Sequence, residues 1–175
     1  YGLYHRFGQA VTRGAGAFTV FRDGHWLFEG TGLRYGDLLG ARDGVVGYET
    51  VGCRLAFGQY QLPIAAGGDG TPAGIEVVAW APSSSLRFGE YPASIAALDD
   101  QGDLDFVAER LYGRIDDDSI ARVRHGNAVM VVCRPFGEEG GEVITIGSTD
   151  WVFGLATDPA VAQVTRNVLD RPESR

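Results

Sequence analysis

Apolar residues recur along this chain with two periods, and the changes of period mark out its elements. Leu104, Val107, Ala108 and Leu111 fall at i, i+3, i+4 and i+7, with Asp103 placed to cap and Gly113 to stop. That spacing predicts an amphipathic helix. Near the end, Asp158 precedes Pro159, and Val161, Val164, Val168 and Leu169 line one face of a second helix that should pack on a sheet. Between them Asn127 to Arg134 encloses the unbroken apolar run Ala128 to Cys133, long enough to cross a sheet buried on both faces. The Gly/Glu loop Phe136 to Gly141 turns it back into Glu142 to Gly147, so a hairpin is expected. Next, Gly147 to Leu155 reads as the end of a buried strand, a polar turn carrying Trp151, and a helix. Such strand-end loops are where α/β proteins place ligand-handling groups.

The first third reads differently. From Tyr1 to about Tyr60, glycines and aromatics separate short strand-like pieces at Ala17 to Phe21, His25 to Phe28 and Val45 to Tyr48. Gly67 to Pro72 is a turn cluster, and Gly74 to Trp80 is read as a strand that Pro82 ends. Ser94 to Leu98 is a further short apolar piece. Asp116 to Asp118 precede a brief helical turn over Ser119 to Arg124. Lacking the alternating spacing of a calcium loop, these aspartates read as a solvated loop. One domain over residues 1–175 is expected, with a loop-rich β region at 1–66 and sheet-completing strands and helices at 67–175. The opening Tyr1 to Phe7 reads as the interior of a longer polypeptide.

Composition narrows the chemistry. The 175 residues carry a formal net charge of -8, which disfavours a nucleic-acid backbone or an anionic membrane as partner. A cationic or neutral small molecule fits better. All 15 basic residues are arginine, so a Schiff-base or P-loop lysine is excluded within these residues. Cys53 and Cys133 lack metal-ligand spacing and read as buried free thiols of a reducing compartment. No apolar run reaches a membrane span of roughly 18 residues, and no signal peptide opens the chain, so a cytoplasmic location is expected.

Six residues stand out as candidates for chemistry. Glu49 follows an apolar strand, where an unpaired carboxylate is costly to bury. It either orients or deprotonates an attacking water or pairs with an arginine. His25, after the turn Asp23-Gly24, either donates to a developing oxyanion or faces solvent. Thr149 and Asp150 either hold an Asx-type turn beside a packed Trp151 indole or contribute to a substrate pocket that Trp151 walls, and Tyr48 either faces that pocket or packs among aromatics. His5, His125 and Tyr35 have weaker claims, and no histidine pair has metal-ligand spacing. Ser83 to Ser85 lacks the nucleophile elbow and reads as a loop. Neither Gly14 to Gly16 nor Gly67 to Gly70 forms a dinucleotide fingerprint.

The blocks His25 to Leu33, Gly47-Tyr48-Glu49, Gly147 to Leu155 and Val164 to Arg171, in that order, resemble the C-terminal part of the large (β) subunit of N,N-dimethylformamidase. The resemblance implies an amidohydrolase that splits N-substituted formamides into formate and an amine. It also implies a glutamine-amidotransferase-like α/β core, β-rich here, whose sheet the last strand and helix complete and whose active-site end the Tyr1 to Tyr60 region covers. A mononuclear iron bound by tyrosine and glutamate is implied too, with ligands upstream of the matched region, so no metal ligand is expected among these residues. The rest of the polypeptide, a small subunit and further copies of the chain are the implied partners.

Two other functions compete. A non-catalytic interaction or ligand-binding module would need no complete catalytic set, and none is evident here. A cysteine-nucleophile amidotransferase is disfavoured, since Cys133 lies mid-strand and Cys53 has no histidine nearby in sequence.

Overall fold

The computed structural model describes residues 16–47, 50–84, 104–137 and 139–171. A five-stranded sheet runs in the order β2 (Leu38–Leu39), β1 (Phe18–Val20), β5 (Glu76–Ser84), β6 (His125–Cys133) and β7 (Val143–Ile146). Strands β3 (Leu55–Phe57) and β4 (Pro63–Ala65) form a separate two-stranded sheet. Helices α1 (Leu104–Tyr112), α2 (Asp117–Arg124) and α3 (Pro159–Leu169) complete the regular elements among the described residues, with short 3-10 turns at Trp26–Phe28, Gln59–Gln61 and Thr149–Gly154. The fold is mixed and β-rich. This agrees with the expected β-rich α/β class, and every pairing among the described strands is antiparallel.

The expected β6–β7 hairpin is present, with Met130 opposite Ile146 and Cys133 opposite Val143. The apolar run of β6 is buried on both faces because each face has its own cover. Ala128, Met130 and Val132 join the main core with Phe18, Leu27, Trp151, Val161 and Val164. Val129 and Val131 turn the other way, into a smaller cluster with Val77, flanked by Cys53, Leu55 and Trp80. A bulge in β5 between Val77 and Ala79 lets Val78 and Ala79 both enter the main core, and alternation then resumes with Trp80 on the opposite face.

Helix α3 forms as its caps require. Asp158 Oδ1 accepts from the Ala160 and Val161 amides at 2.8 and 3.3 Å, and Pro159 opens the first turn. Val161 and Val164 are buried and Val168 packs against the core, whereas Leu169, one position further round the helix, is 77% exposed. Helices α1 and α2 make their own cluster from Leu104, Val107, Ala108, Ile120 and Val123. Leu111, expected on that face, is exposed. Gly113 closes α1 at φ 66°, its amide donating to Glu109. Asp116 and Ser119 cap α2 reciprocally, and Asp118 pairs with Arg114 and Arg122. The acidic triplet is solvated, as expected, but it is the start of a helix rather than a loop.

Several expected boundaries move. Trp26–Phe28 is a 3-10 turn rather than a strand, and Val45 and Val46 are buried without strand pairing. Strand β5 continues through Pro82 to Ser84, so Ser83 lies in a strand and is 3% exposed rather than in a loop. Proline is tolerated there because β1 pairs with β5 only at Ala79 and Trp80, leaving one side of the later residues free of β1. Strand β7 is an edge strand and half-buried, not fully buried. Cys53 and Cys133 are free, as expected, but only half-buried. Ser94 to Leu98, Asp103, His5 and the opening residues lie outside the described residues.

Candidate functional site

Residues a hundred positions apart meet where β6 and β7 part. The β6–β7 ladder would next pair Val129 with Gly147, and the Gly147 amide does donate to the Val129 carbonyl at 3.0 Å. The return bond is replaced. The Val129 amide donates to Val51 O at 2.9 Å, and the Val51 amide donates to Gly147 O at 3.0 Å, so Val51 is spliced into this rung. Before it, Val45 and Val46 pack in the main core; after it, Cys53 and Leu55 pack against the opposite face. The chain thus passes from one face of the sheet to the other at the end of the hairpin. Such a passage leaves no room for side chains. A Cβ on Gly147 would stand 2.4 Å from Val129 O and 2.5 Å from Val51 O, and one on Gly52 would stand 2.1 Å from Asn127 O.

Ser148 holds the near end of this passage. Its hydroxyl accepts from the Gly47 amide at 3.1 Å and from the Asp150 amide at 3.2 Å, and lies 3.3 Å from Gly47 O, to which it can donate. Thr50 is bridged to Ser148, and its hydroxyl is 3.3 Å from the buried Ser83 hydroxyl. Tyr48 and Glu49, the residues between these anchors, lie outside the described residues. Asp150 sits directly against Gly47: a Cβ there would be 2.3 Å from Asp150 Oδ2. Burial pushes the Asp150 carboxyl above its usual range. Thr149 is exposed, at the start of the 3-10 turn that follows.

Trp151 points into the main core. It is 9% exposed, meets Phe18 edge-on at 6.3 Å, and donates its indole N–H to Thr165 Oγ1 at 3.1 Å. Thr165 Oγ1 in turn donates to Val161 O at 2.9 Å.

The His25 side chain is only 10% exposed, not solvent-facing. Its Nδ1 accepts from the Leu27 amide at 3.2 Å, capping the Trp26–Phe28 turn, and its Nε2 is 3.7 Å from Glu76 Oε2. Burial lowers its pKa, opposed by the nearby Glu76 and Glu142 carboxylates. Arg171 lies over the Trp26 ring at 3.8 Å and meets Glu142 at 2.6 Å. Arg22 faces Glu76 and Arg134 faces Glu142, each at 3.5 Å.

The far end of the passage lines an open cleft of about 990 Å³. Cys53 and Arg54, the Trp80 and Phe57 rings, and Tyr112 from α1 form much of its wall. Asn127 fixes one side by accepting from the Cys53 amide at 3.2 Å and donating to the Cys53 carbonyl at 2.9 Å. Burial, with Asp69 second, raises the Cys53 thiol pKa. Of these residues the sequence draws attention only to Cys53, as a free thiol, because Trp80 within an apolar run reads as core and Arg54 carries no motif.

Residues 3–166 match the family of N,N-dimethylformamidase beta subunit-like proteins, C-terminal. The chain belongs to this family. No curated protein and no solved structure matches it. The geometry shows what the N,N-dimethylformamidase-like blocks do for one another. Asn167 Nδ2 donates to Leu27 O at 2.9 Å and Glu29 O at 2.8 Å, joining the fourth block to the first. Ser148 joins the third to the second, and Trp151 joins the third to the fourth. The described residues of the first, third and fourth blocks meet in the main core, through Leu27, Phe28, Trp151 and Val164.

The iron that an N,N-dimethylformamidase-like activity implies has no cage among the described residues. No group of three or more His, Cys, Asp or Glu side chains suited to a metal occurs there. The nearest approach, His25 with Glu76 and Glu142, has its carboxylates facing arginines. These residues do not fit the metal. Among the described residues, no helix is long and apolar enough to cross a membrane.

Proposed function

We propose that this chain is the C-terminal region of an amidohydrolase that splits an N-substituted formamide or a similar small amide into a carboxylate and an amine. The observation that carries this is the family match over residues 3–166. Iron would be held by residues outside this chain, within a glutamine-amidotransferase-like core to which these antiparallel strands add. The contribution of this chain would be the Gly47 to Val51 passage. Its flanks are anchored by Ser148 and by the Thr50–Ser83 pair, Tyr48 and Glu49 fall between those anchors in sequence, and Asp150 stands beside Gly47 with a carboxyl that holds its proton to higher pH than usual. Glu49 would orient or deprotonate the attacking water. The rest of the polypeptide, a small subunit and further copies of the chain are the proposed partners, in the cytoplasm.

A second reading rests on the convergence of the motif blocks. Because Ser148, Asn167 and the Trp151 indole spend their hydrogen bonds between blocks, the blocks also suit a non-catalytic binding module that keeps the fold. Elemental analysis of the full-length protein, with formate release from dimethylformamide followed in the same sample, separates the two. About one iron per chain with formate release supports the hydrolase. A metal-free, inactive full-length protein favours the module. Glu49→Gln should abolish turnover with folding intact, and an unchanged rate removes Glu49 from the mechanism.

A further inference from the structure

The cleft opposite the motif blocks has the makings of a ligand site of its own. Its walls are aromatic and braced. Trp80 is stacked on Phe21, with ring centroids 6.1 Å apart and planes 13° from parallel, and Phe57 meets it edge-on at 6.3 Å. Tyr112, 44% exposed, lines the cleft from α1. The charged groups are mostly committed elsewhere. Arg122 pairs with Asp118 at 3.0 Å. Asp69 accepts from the Arg54 amide at 2.6 Å and the Thr71 amide at 3.0 Å. Arg54 differs: its guanidinium has no carboxylate partner among the described residues. It lies against Gly68, where a Cβ would be 3.2 Å from Arg54 Nη1 and where φ is +77°. The glycine makes room for the cation.

We propose that this cleft binds a small planar carboxylate with an apolar body. The rings would cover the body, and the Arg54 guanidinium would take the carboxylate in a two-pronged bond. The net charge of -8 does not oppose this, since exposed charges beyond roughly 10 Å are screened at ordinary salt, and the one carboxylate among the described residues of the cleft wall, Asp69, is held by the Arg54 and Thr71 amides. The site lies across the sheet from the motif blocks and does not depend on the amidohydrolase reading.

The test is calorimetric titration of the intact protein with three probes: benzoate, benzyl alcohol with nearly the same body but no charge, and acetate with the charge but no ring. Benzoate should bind with a dissociation constant on the order of 1 mM or tighter. Benzyl alcohol and acetate should each bind at least about tenfold more weakly, the step that one charge-assisted contact is worth. Arg54→Gln, at an exposed position whose guanidinium bonds no other group among the described residues, should weaken benzoate by about tenfold and leave benzyl alcohol unchanged. Benzoate binding no tighter than benzyl alcohol, or unchanged by Arg54→Gln, overturns the proposal.

Discussion

Val51 and Gly147 share one rung of the β6–β7 ladder: the Val51 amide donates to the Gly147 carbonyl at 3.0 Å, and the two chains cross with no side chain between them. Gly147→Ala would place a methyl group against two backbone carbonyls, neither of which can swing away. A loss of about 2 to 4 kcal/mol is expected in urea unfolding, and Gly52→Ala should behave alike. Gly24→Ala is the control, since nothing lies within 4 Å of its added Cβ. Equal stability of all three variants would contradict the threaded rung.

Asn167 ties α3 to the Trp26–Phe28 turn by donating to Leu27 O and Glu29 O. Asn167→Ala leaves two carbonyls without that donor and should cost about 1 to 3 kcal/mol. Asn167→Asp should cost more, because a carboxylate cannot donate and repels the carbonyl oxygens. Thermal melts of the two variants check the order.

Trp151→Phe separates packing from substrate contact. Removing the indole N–H that bonds Thr165, together with part of a buried ring, should lower stability by about 2 kcal/mol. The Michaelis constant of the full-length enzyme should stay unchanged. A raised Michaelis constant at full stability would instead place the indole against the substrate.

Much of this arrangement was legible in the sequence. Asp158-Pro159 marked the start of α3, and the run Ala128 to Cys133 marked a strand buried twice over. Both signals are local, carried by cap chemistry and by continuous apolarity. What escaped was set by long-range packing. Ser83 reads as loop because Pro82 precedes it, yet the strand continues where β1 has ended. His25 reads as a surface turn, yet it is enclosed by Trp26 and Glu76 and by the Arg171–Glu142 pair beyond them. At the candidate site, Thr149, Asp150 and Glu49 drew notice as polar residues beside apolar strands. The convergence of their two segments depends on Val51 entering another hairpin's ladder, which no local pattern encodes.

His25 gives the fold a pH dependence of definite sign. Its folded pKa is lowered from 6.5, so the unfolded chain binds the proton more readily. Its contribution to stability is therefore fully present above pH 6.5 and is lost as pH falls through 6.5 towards the folded value. Protonating Nδ1 also removes the acceptor for the Leu27 amide. His25→Asn keeps a capping oxygen without titrating there. Melting midpoints from pH 7.5 to 5 should fall less steeply in His25→Asn than in the parent, and parallel slopes would exclude the histidine as the cause.

Asp150 gives the opposite sign. Its folded pKa is raised from 3.8 by burial, so its charged form is a cost to the fold that appears as pH rises above 3.8 through the folded value. Asp150→Asn should therefore be more stable than the parent at pH 7, with the advantage fading as pH falls to 3.8. A residue kept at a cost to stability beside the anchored Gly47 is what a functional carboxyl would look like. If the same substitution stabilises the protein and also abolishes formate release in the full-length enzyme, Asp150 belongs to the reaction. If it stabilises and leaves the rate untouched, the carboxyl is only part of the turn and the second reading gains.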